Sequence, residues 1–303
     1  MASGLPVRKS SRMPFTPHPP VWSTLEVDDN FGRWTATMHA PPALAGVVDG
    51  LWHFRGRVAH ARERVFPHGA VEIIVHLGER YHGHERDGLQ HYPALCLSGL
   101  RLQPLVVEAP QAACTVLGLR LRPTAAWTVL GGAAGEAQDR TVDLADVLGA
   151  AARELGEACN DAPDARTCLR RAATWVAQRL RQGRPADAAV VWMAQAIAAR
   201  RGAVSIEGLR ERTGWSRSRM AAVFQAQVGL SPKRYARLQR FRHALEQLQR
   251  PEAVLADVAG ACGYADQSHM TAEFDEMAGT TPGALLAALR YPHSPNLAEG
   301  ERR

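Results

Sequence analysis

The spacing of hydrophobic residues changes along this chain, from a period of two to a helical period. Val71, Ile73, Val75 and Leu77 fall at every second position after the turn Pro67-His68-Gly69, which predicts a half-buried strand. Thr115 to Arg122 alternates again until Pro123 stops it, and Ala94 to Val107 predicts one or two further short strands. Pro41-Pro42 predicts a short helix running to Val48. From about Val142 the spacing turns helical, through Leu144, Val147, Leu148 and Leu155, then Leu169, Trp175, Val176 and Leu180, with a break at Asn160 to Ala165. The polar stretch Arg181-Gln-Gly-Arg-Pro185 reads as a boundary. Beyond it, Ala186 to about Leu289 reads as helices joined by short turns.

The fold class expected from this order is α+β, with a β-rich N-terminal domain, then helices, then an all-α C-terminal domain. The expected organisation is a disordered leader over residues 1–20, a β-rich sensing domain over 21–140, and a helical linker or assembly region over 141–184. A helix-turn-helix domain over 185–290 and a disordered polar tail over 291–303 complete it.

The all-α segment contains an internal repeat. Met220, Phe224, Gly229 and Pro232 recur as Met270, Phe274, Gly279 and Pro282, each at an offset of 50, while Gly214-Trp215 recurs as Gly263-Tyr264 at an offset of 49. The second copy therefore has one extra residue in its turn. Each copy predicts a short amphipathic helix (Ser205 to Thr213, Val254 to Cys262), a glycine free to take the left-handed conformation, and an aromatic residue. A second helix follows, N-capped by Ser216 or Asp266 and closed by Gly229 or Gly279. Two helices joined by a glycine-containing turn are the arrangement that places the second helix in a DNA major groove. A long helix from about Pro232 to Gln249 is predicted between the copies, with Tyr235, Leu238, Phe241 and Leu245 as its apolar stripe. A rigid connection of this kind suits two reading heads about 34 Å apart, on successive major-groove segments.

Charge agrees with this reading. The 303-residue chain carries a formal +6, but Arg200 to Arg250 holds twelve Lys and Arg against three Glu, a net +9, whereas Pro251 to Leu289 holds six Asp and Glu and no Lys or Arg, a net −6. The first unit is therefore expected to supply most of the electrostatic affinity and the second to contribute weakly. Hydrophobic residues at 46% and charged residues at 22% suit a soluble globular protein. The apolar run Ala188 to Ala199 is interrupted by Gln195 and falls well short of the ~20 residues of a membrane span. The N-terminus mixes Arg8, Lys9 and Arg12 with prolines and has no apolar signal core. Five cysteines without CxxC spacing suggest reduced thiols and a cytoplasmic location.

The C-terminal third resembles the AraC/XylS family of bacterial regulators, from about Ala186 to Leu289. The residues that carry the resemblance are Ala259-Gly-Ala-Cys-Gly263-Tyr264, then Phe274, then Gly279-Thr-Thr281-Pro282. Two departures are visible: Gly-Ala-Leu285-Leu286 follows Pro282 where the family usually has an aromatic residue and arginine, and Met270 stands where an aromatic is common. The resemblance implies double-stranded DNA as partner and places base-reading positions at Arg217, Ser218, Ala221, Ala222 and Gln225 on the first recognition helix, with Ser216 and Arg219 also expected to contact DNA. On the second it places base-reading positions at Gln267, Ser268, Thr271 and Ala272, with His269 beside them. Alanines at 221, 222 and 272 reach only thymine methyls, so the expected base readers are Arg217, Gln225, Gln267 and Ser268. Arg219, Lys233 and Arg234 are expected to hold phosphates. RNA polymerase is the further partner implied, with a homodimer also compatible.

The stretch Phe66-Pro67-His68-Gly69…Glu72-Ile-Ile-Val75…Leu77-Gly78 resembles the small sheet domain that precedes the DNA-binding unit in one AraC-type subgroup. That resemblance implies a cupin-like half-barrel able to hold a small effector, which the sequence does not name. Nine of the twelve histidines fall between His18 and His91. Of these, His82-Gly-His84 with Glu85 and His91 is a candidate metal group, set against the reading of Arg80 to Gly88 as an exposed hairpin loop. His53, His68 and His76 read as strand or turn residues, and Trp52, Glu72 and Arg120 as pocket residues if alternation turns them inward. No GxSxG, P-loop, GxGxxG with a following acid, or HExxH is present, so neither an enzyme nor a cofactor is expected. The alternatives are a cupin-like metalloenzyme fused to a DNA-binding module and a nucleoid-binding structural protein.

Overall fold

The computed structural model describes residues 21–288 and 297–301, apart from 31, 86, 136 and 251. The predicted leader lies outside the described residues. Ten strands come first: β1 Trp22–Asp29, β2 Gly32–His39, β3 Val48–Val58, β4 His60–Val65, β5 Val71–His76, β6 His82–Glu85, β7 Gly88–His91, β8 Leu95–Ser98, β9 Leu105–Glu108 and β10 Cys114–Leu121. Helix α1 Pro123–Val129 and strand β11 Thr141–Asp143 lead into α2 Leu144–Leu148, α3 Ala150–Asn160 and α4 Ala165–Gln182. Seven helices follow: α5 Ala188–Ala199, α6 Ile206–Thr213, α7 Arg217–Val228, α8 Pro232–Leu248, α9 Leu255–Ala261, α10 Gln267–Ala278 and α11 Pro282–Ala288. Strand β12 Leu297–Glu301 ends the described chain. The architecture is α+β, as the change of period predicts.

The strands make two antiparallel sheets, ordered β1-β2-β3-β10-β5-β8-β11 and β12-β4-β9-β6-β7. In the larger sheet Leu51, Ile73, Leu97, Leu117 and Leu119 share one face and pack with Leu155, Leu169 and Val176 of α3 and α4. The opposite face meets the smaller sheet, where Ile74 and Cys96 pack with Val65, Leu105 and Val107. Strand β5 is consequently covered on both sides rather than half-buried, and its alternation marks the helix-facing side.

The side between the sheets carries polar pairs. Glu72 is buried and accepts from the Arg120 guanidinium beside it on β10, while His68 Nε2 lies 3.2 Å from its other oxygen. Trp52 lies flat across Gly118 of its partner strand, where an added Cβ would stand 2.1 Å from the indole. The stretch from 80 to 88 is not a loop throughout: it holds β6 and the start of β7, which pair with His82 opposite His91. Within that hairpin His84 Nε2 is 2.8 Å from Glu108 Oε1, and Glu85 accepts from Arg101 Nη2 at 2.6 Å and from the Tyr92 hydroxyl at 2.9 Å. Among the described residues no three His, Cys, Asp or Glu are gathered to hold a metal ion.

Two other expectations are corrected. The helix predicted from Pro41-Pro42 to Val48 is a single 3-10 turn, Pro42–Leu44. The tail, predicted to be disordered, includes β12, which lies antiparallel to β4. An edge strand offers backbone donors and acceptors to any chain segment alongside, whatever its side chains. Among the described residues no helix is long and apolar enough to cross a membrane.

Candidate nucleic-acid interface

Each copy of the repeat folds to the same plan, and its glycines and caps explain why. Gly214 ends α6 at φ +67°, and Gly229 and Gly279 end α7 and α10 at φ +92° and +62°, conformations that β-carbon-bearing residues rarely take. In the second copy Cys262 caps α9 and Gly263 follows at φ +75°; the extra residue is Ala265, which separates Tyr264 from the Asp266 cap whereas Ser216 directly follows Trp215. The recognition helices open on side-chain caps: Ser216 accepts from the Arg219 amide at 3.2 Å and Asp266 from the His269 amide at 2.7 Å. A third cap, Ser231, starts α8.

The repeated phenylalanines dock on one shared helix. Phe224 meets Tyr235 at 6.0 Å between ring centroids, and Phe274 meets Phe241 at 4.8 Å, so both recognition helices are anchored to α8. Burial of Tyr235 pushes its phenol up to about 12, so it stays neutral. With 17 residues, α8 is about 25 Å long. Trp215 and Tyr264 occupy equivalent places, and each carries an arginine on its ring: Arg219 at 4.7 Å from the Trp215 centroid and Arg240 at 4.8 Å from that of Tyr264.

The surface left after this packing is polar. Ser216, Arg217, Ser218, Arg219, Ala221, Ala222 and Gln225 are exposed on α7 and its cap, Gln267, Ser268, His269 and Ala272 on α10, and Lys233 and Arg234 at the start of α8. Not all are equally available. Arg217 keeps only a 3.5 Å contact with Glu207, its side chain 84% exposed. Thr271 is half-buried and donates its hydroxyl back to the Gln267 carbonyl at 2.9 Å. His269 accepts from the Ala265 amide and stands edge-on to Tyr264, so it braces the turn. The Ser216 hydroxyl is committed to its cap. This leaves Arg217, Gln225, Gln267 and Ser268 as the side chains with most freedom toward a groove, while the Ser218 hydroxyl lies 3.2 Å from that of Ser216.

The charge blocks found by counting are partly spent on one another. Glu273 is buried on α10 and accepts from Arg240 Nη2 at 2.7 Å, Arg237 Nε at 3.0 Å and the Tyr264 hydroxyl at 2.9 Å. Glu276 pairs with Arg237 Nη2 at 2.7 Å. Burial alone would raise the Glu273 carboxyl; the hydrogen bonds from Arg240 and Arg237 outweigh it and hold it below the usual carboxylate range. Two of the six acidic residues of the second unit thus pair with arginines of α8. The +9 and −6 blocks overstate the electrostatic difference that DNA would meet.

Both recognition helices meet the N-terminal half at their C-terminal ends. Gly135 lies against α7, where an added Cβ would be 3.4 Å from the Ala226 carbonyl oxygen. The α10 end is met by Arg64 of β4, which donates to the Ala278 and Gly279 carbonyls. The turn at Gly69 abuts Gln239 and Arg242 of α8. These inter-unit contacts join residues far apart in the chain and leave no local sequence signal.

This geometry defines a tandem helix-turn-helix module, the class of DNA-binding unit in which two heads share one connecting helix. A family model described as a helix-turn-helix domain matches residues 209–288, and a second, described as a domain of unknown function (DUF6597), matches residues 36–143. The chain is 34% identical over 79 residues to a putative AraC-like transcription regulator of Streptomyces lividans, covering 26% of each protein. It is 31% identical over 78 residues to the transcriptional activator RhaR of Klebsiella pneumoniae, covering 26% of this chain and 28% of that protein. The chain thus spans about a quarter of the length of these curated relatives. ToxT from Vibrio cholerae shares 8% identity at a TM-score of 0.45, over 78% of this chain and 97% of that one. The DNA-binding domain of AdpA, solved with a target DNA, shares 25% identity at a TM-score of 0.32, over 34% of this chain and 95% of that one. The C-terminal third of the chain is an AraC-type helix-turn-helix domain.

Proposed function

We propose that the chain is a sequence-specific DNA-binding transcription regulator of the AraC type, and that it acts by binding rather than catalysis. The observation that carries this reading is the pair of N-capped recognition helices, each anchored by phenylalanine to α8 and each presenting polar side chains on its exposed first turns. Arg217 and Gln225 read bases from α7, Gln267 and Ser268 from α10. Arg219, Lys233 and Arg234 hold phosphates, and Arg219 does so from a position preset by its stack on Trp215. Ser216 contributes through its cap, His269 and Thr271 by shaping the second turn, and Ala221 and Ala222 through apolar contact with thymine methyls. The α7 unit anchors the complex, by virtue of its arginines that are not engaged with the second unit.

The N-terminal sheets fit a sensing role in which a small effector or partner acts, with the His68–Glu72–Arg120 group between them. RNA polymerase, a second copy of the chain and a cytoplasmic location belong to the same reading. Selection of bound duplexes from a randomised DNA pool tests it. Enrichment of a sequence with two separated blocks is expected; recovery of unenriched DNA would refute sequence-specific reading and favour a nucleoid-type binder.

A further inference from the structure

The second recognition helix ends on a side chain from the other end of the molecule. Arg64 Nη1 donates to the Gly279 carbonyl at 2.6 Å and to the Ala278 carbonyl at 3.2 Å, across 215 and 214 residues of sequence. These carbonyls belong to the last turn of α10, where no backbone amide further along the helix satisfies them and the helix dipole leaves partial negative charge. A guanidinium is the side chain best suited to bridge two such oxygens. Approach is close: a Cβ placed on Gly279 would stand 2.9 Å from Arg64 Nη1 and 3.4 Å from Pro104 Cγ, the latter in the segment before β9. The first recognition helix is held differently, by packing of Gly135 on its last carbonyls. Both heads pack on α8, but toward the N-terminal half the first meets Gly135 whereas the second meets Arg64 and Pro104.

We propose that Arg64 is a positioning residue for DNA reading: it fixes α10 relative to the N-terminal sheets, and so sets the phase between the two heads. The inference rests on the DNA-binding reading above. Arg64 touches no base in it. It acts through the C-terminal end of α10, whose opposite end carries Gln267 and Ser268. A duplex read by both heads must match the separation that this contact imposes, so loss of Arg64 loosens the second head without altering the first.

The test uses the full chain and the duplex selected by the wild type from a random pool. Hydroxyl-radical footprinting follows two protected segments, the one weakened by Arg217→Ala being assigned to α7. Arg64→Ala is expected to weaken protection of the second segment about tenfold and to tolerate insertions of one or two base pairs between segments, with the first segment unchanged. Arg64→Lys, which keeps a cation at the helix end, is expected to retain most of the second footprint. Equal loss at both segments, or no loss at either, would overturn the proposal. Hydrogen exchange without DNA separates this from failure of the DNA-binding reading. Amides of α10 and the following turn should exchange about tenfold faster in Arg64→Ala, with those of α7 unchanged; unchanged exchange at α10 refutes the latch even if no DNA sequence is enriched.

Discussion

Replacing Glu273 with Gln keeps shape and removes one charge, at a point where two helices are joined by little else that is polar. The carboxylate accepts from Arg240 Nη2 at 2.7 Å, Arg237 Nε at 3.0 Å and Tyr264 at 2.9 Å, and it is only 3% exposed. Breaking a buried ion pair by removing one partner costs about 3–5 kcal/mol, because the remaining charge is stranded. Here the arginines are not fully stranded: the side chains of Arg237 and Arg240 are 30% and 21% exposed and can rehydrate. The expected loss is therefore at the low end, about 3 kcal/mol. In urea, with a slope of about 2 kcal/mol/M, this lowers the midpoint of the C-terminal transition by about 1.5 M. Glu276→Gln is the control. That carboxylate pairs with Arg237 but is half exposed, and a pair of that kind contributes about 0–1 kcal/mol. A Glu273→Gln midpoint within the error of wild type, or a Glu276→Gln loss of equal size, would refute the claim that burial of this network joins α10 to α8.

Other outcomes follow from the same geometry. Arg217→Ala should cost about 1–3 kcal/mol on the selected duplex and much less on scrambled DNA if Arg217 pairs with guanine; an equal loss on both shows that it touches only phosphate. Lys233→Ala should reduce the slope of log binding constant against log salt by about 1, while Arg237→Ala, already paired within the protein, should leave it nearly unchanged. Gly279→Ala should destabilise by more than the ~1 kcal/mol typical of a left-handed site, because the new Cβ also crowds Arg64, and thermal melting measures it. Glu273 and Glu72 both have carboxyls held below the usual range, for Glu72 by Arg120 and His68 against the opposing effect of burial. Such groups stabilise above the unfolded carboxylate value of about 4.3 and lose that contribution as pH falls below it. Melting temperature should therefore drop steeply below about pH 4.5, and less steeply in Glu273→Gln.

The repeat was legible because its information is local. A glycine at a helix end, a serine or aspartate at a helix start and an aromatic at a fixed offset each report on a few neighbouring residues, and Gly214, Ser216, Phe224 and their counterparts fall where the spacing predicts. Ser231 escaped notice as a cap although Ser-Pro before a helix is a readable start signal. The ion pairs of Arg237 and Arg240 were not legible: their partners on α10 lie more than thirty residues away, and counting charge along the chain separated groups that fold brings together. The hairpin of β6 and β7 reads as a loop in the sequence because its glycines have low strand propensity, yet pairing with β9 holds His82 to His84 in the sheet. The burial of both faces of β5 likewise depends on a second sheet whose position no single strand encodes.

The shared aromatic seating on α8 has a consequence for how this module can be divided. Tyr235 receives one phenylalanine and Phe241, six residues further on, receives the other. A fragment cut between the two helix-turn-helix units would keep α8 whole but strip Phe241 and its neighbours of their cover; one starting at α8 would do the same to Tyr235. The reading heads look like two interchangeable parts in the sequence, yet they have a common floor. Because both heads pack on α8, recombination or truncation within this segment is expected to yield insoluble halves rather than single-headed binders, which expression of the two fragments would check.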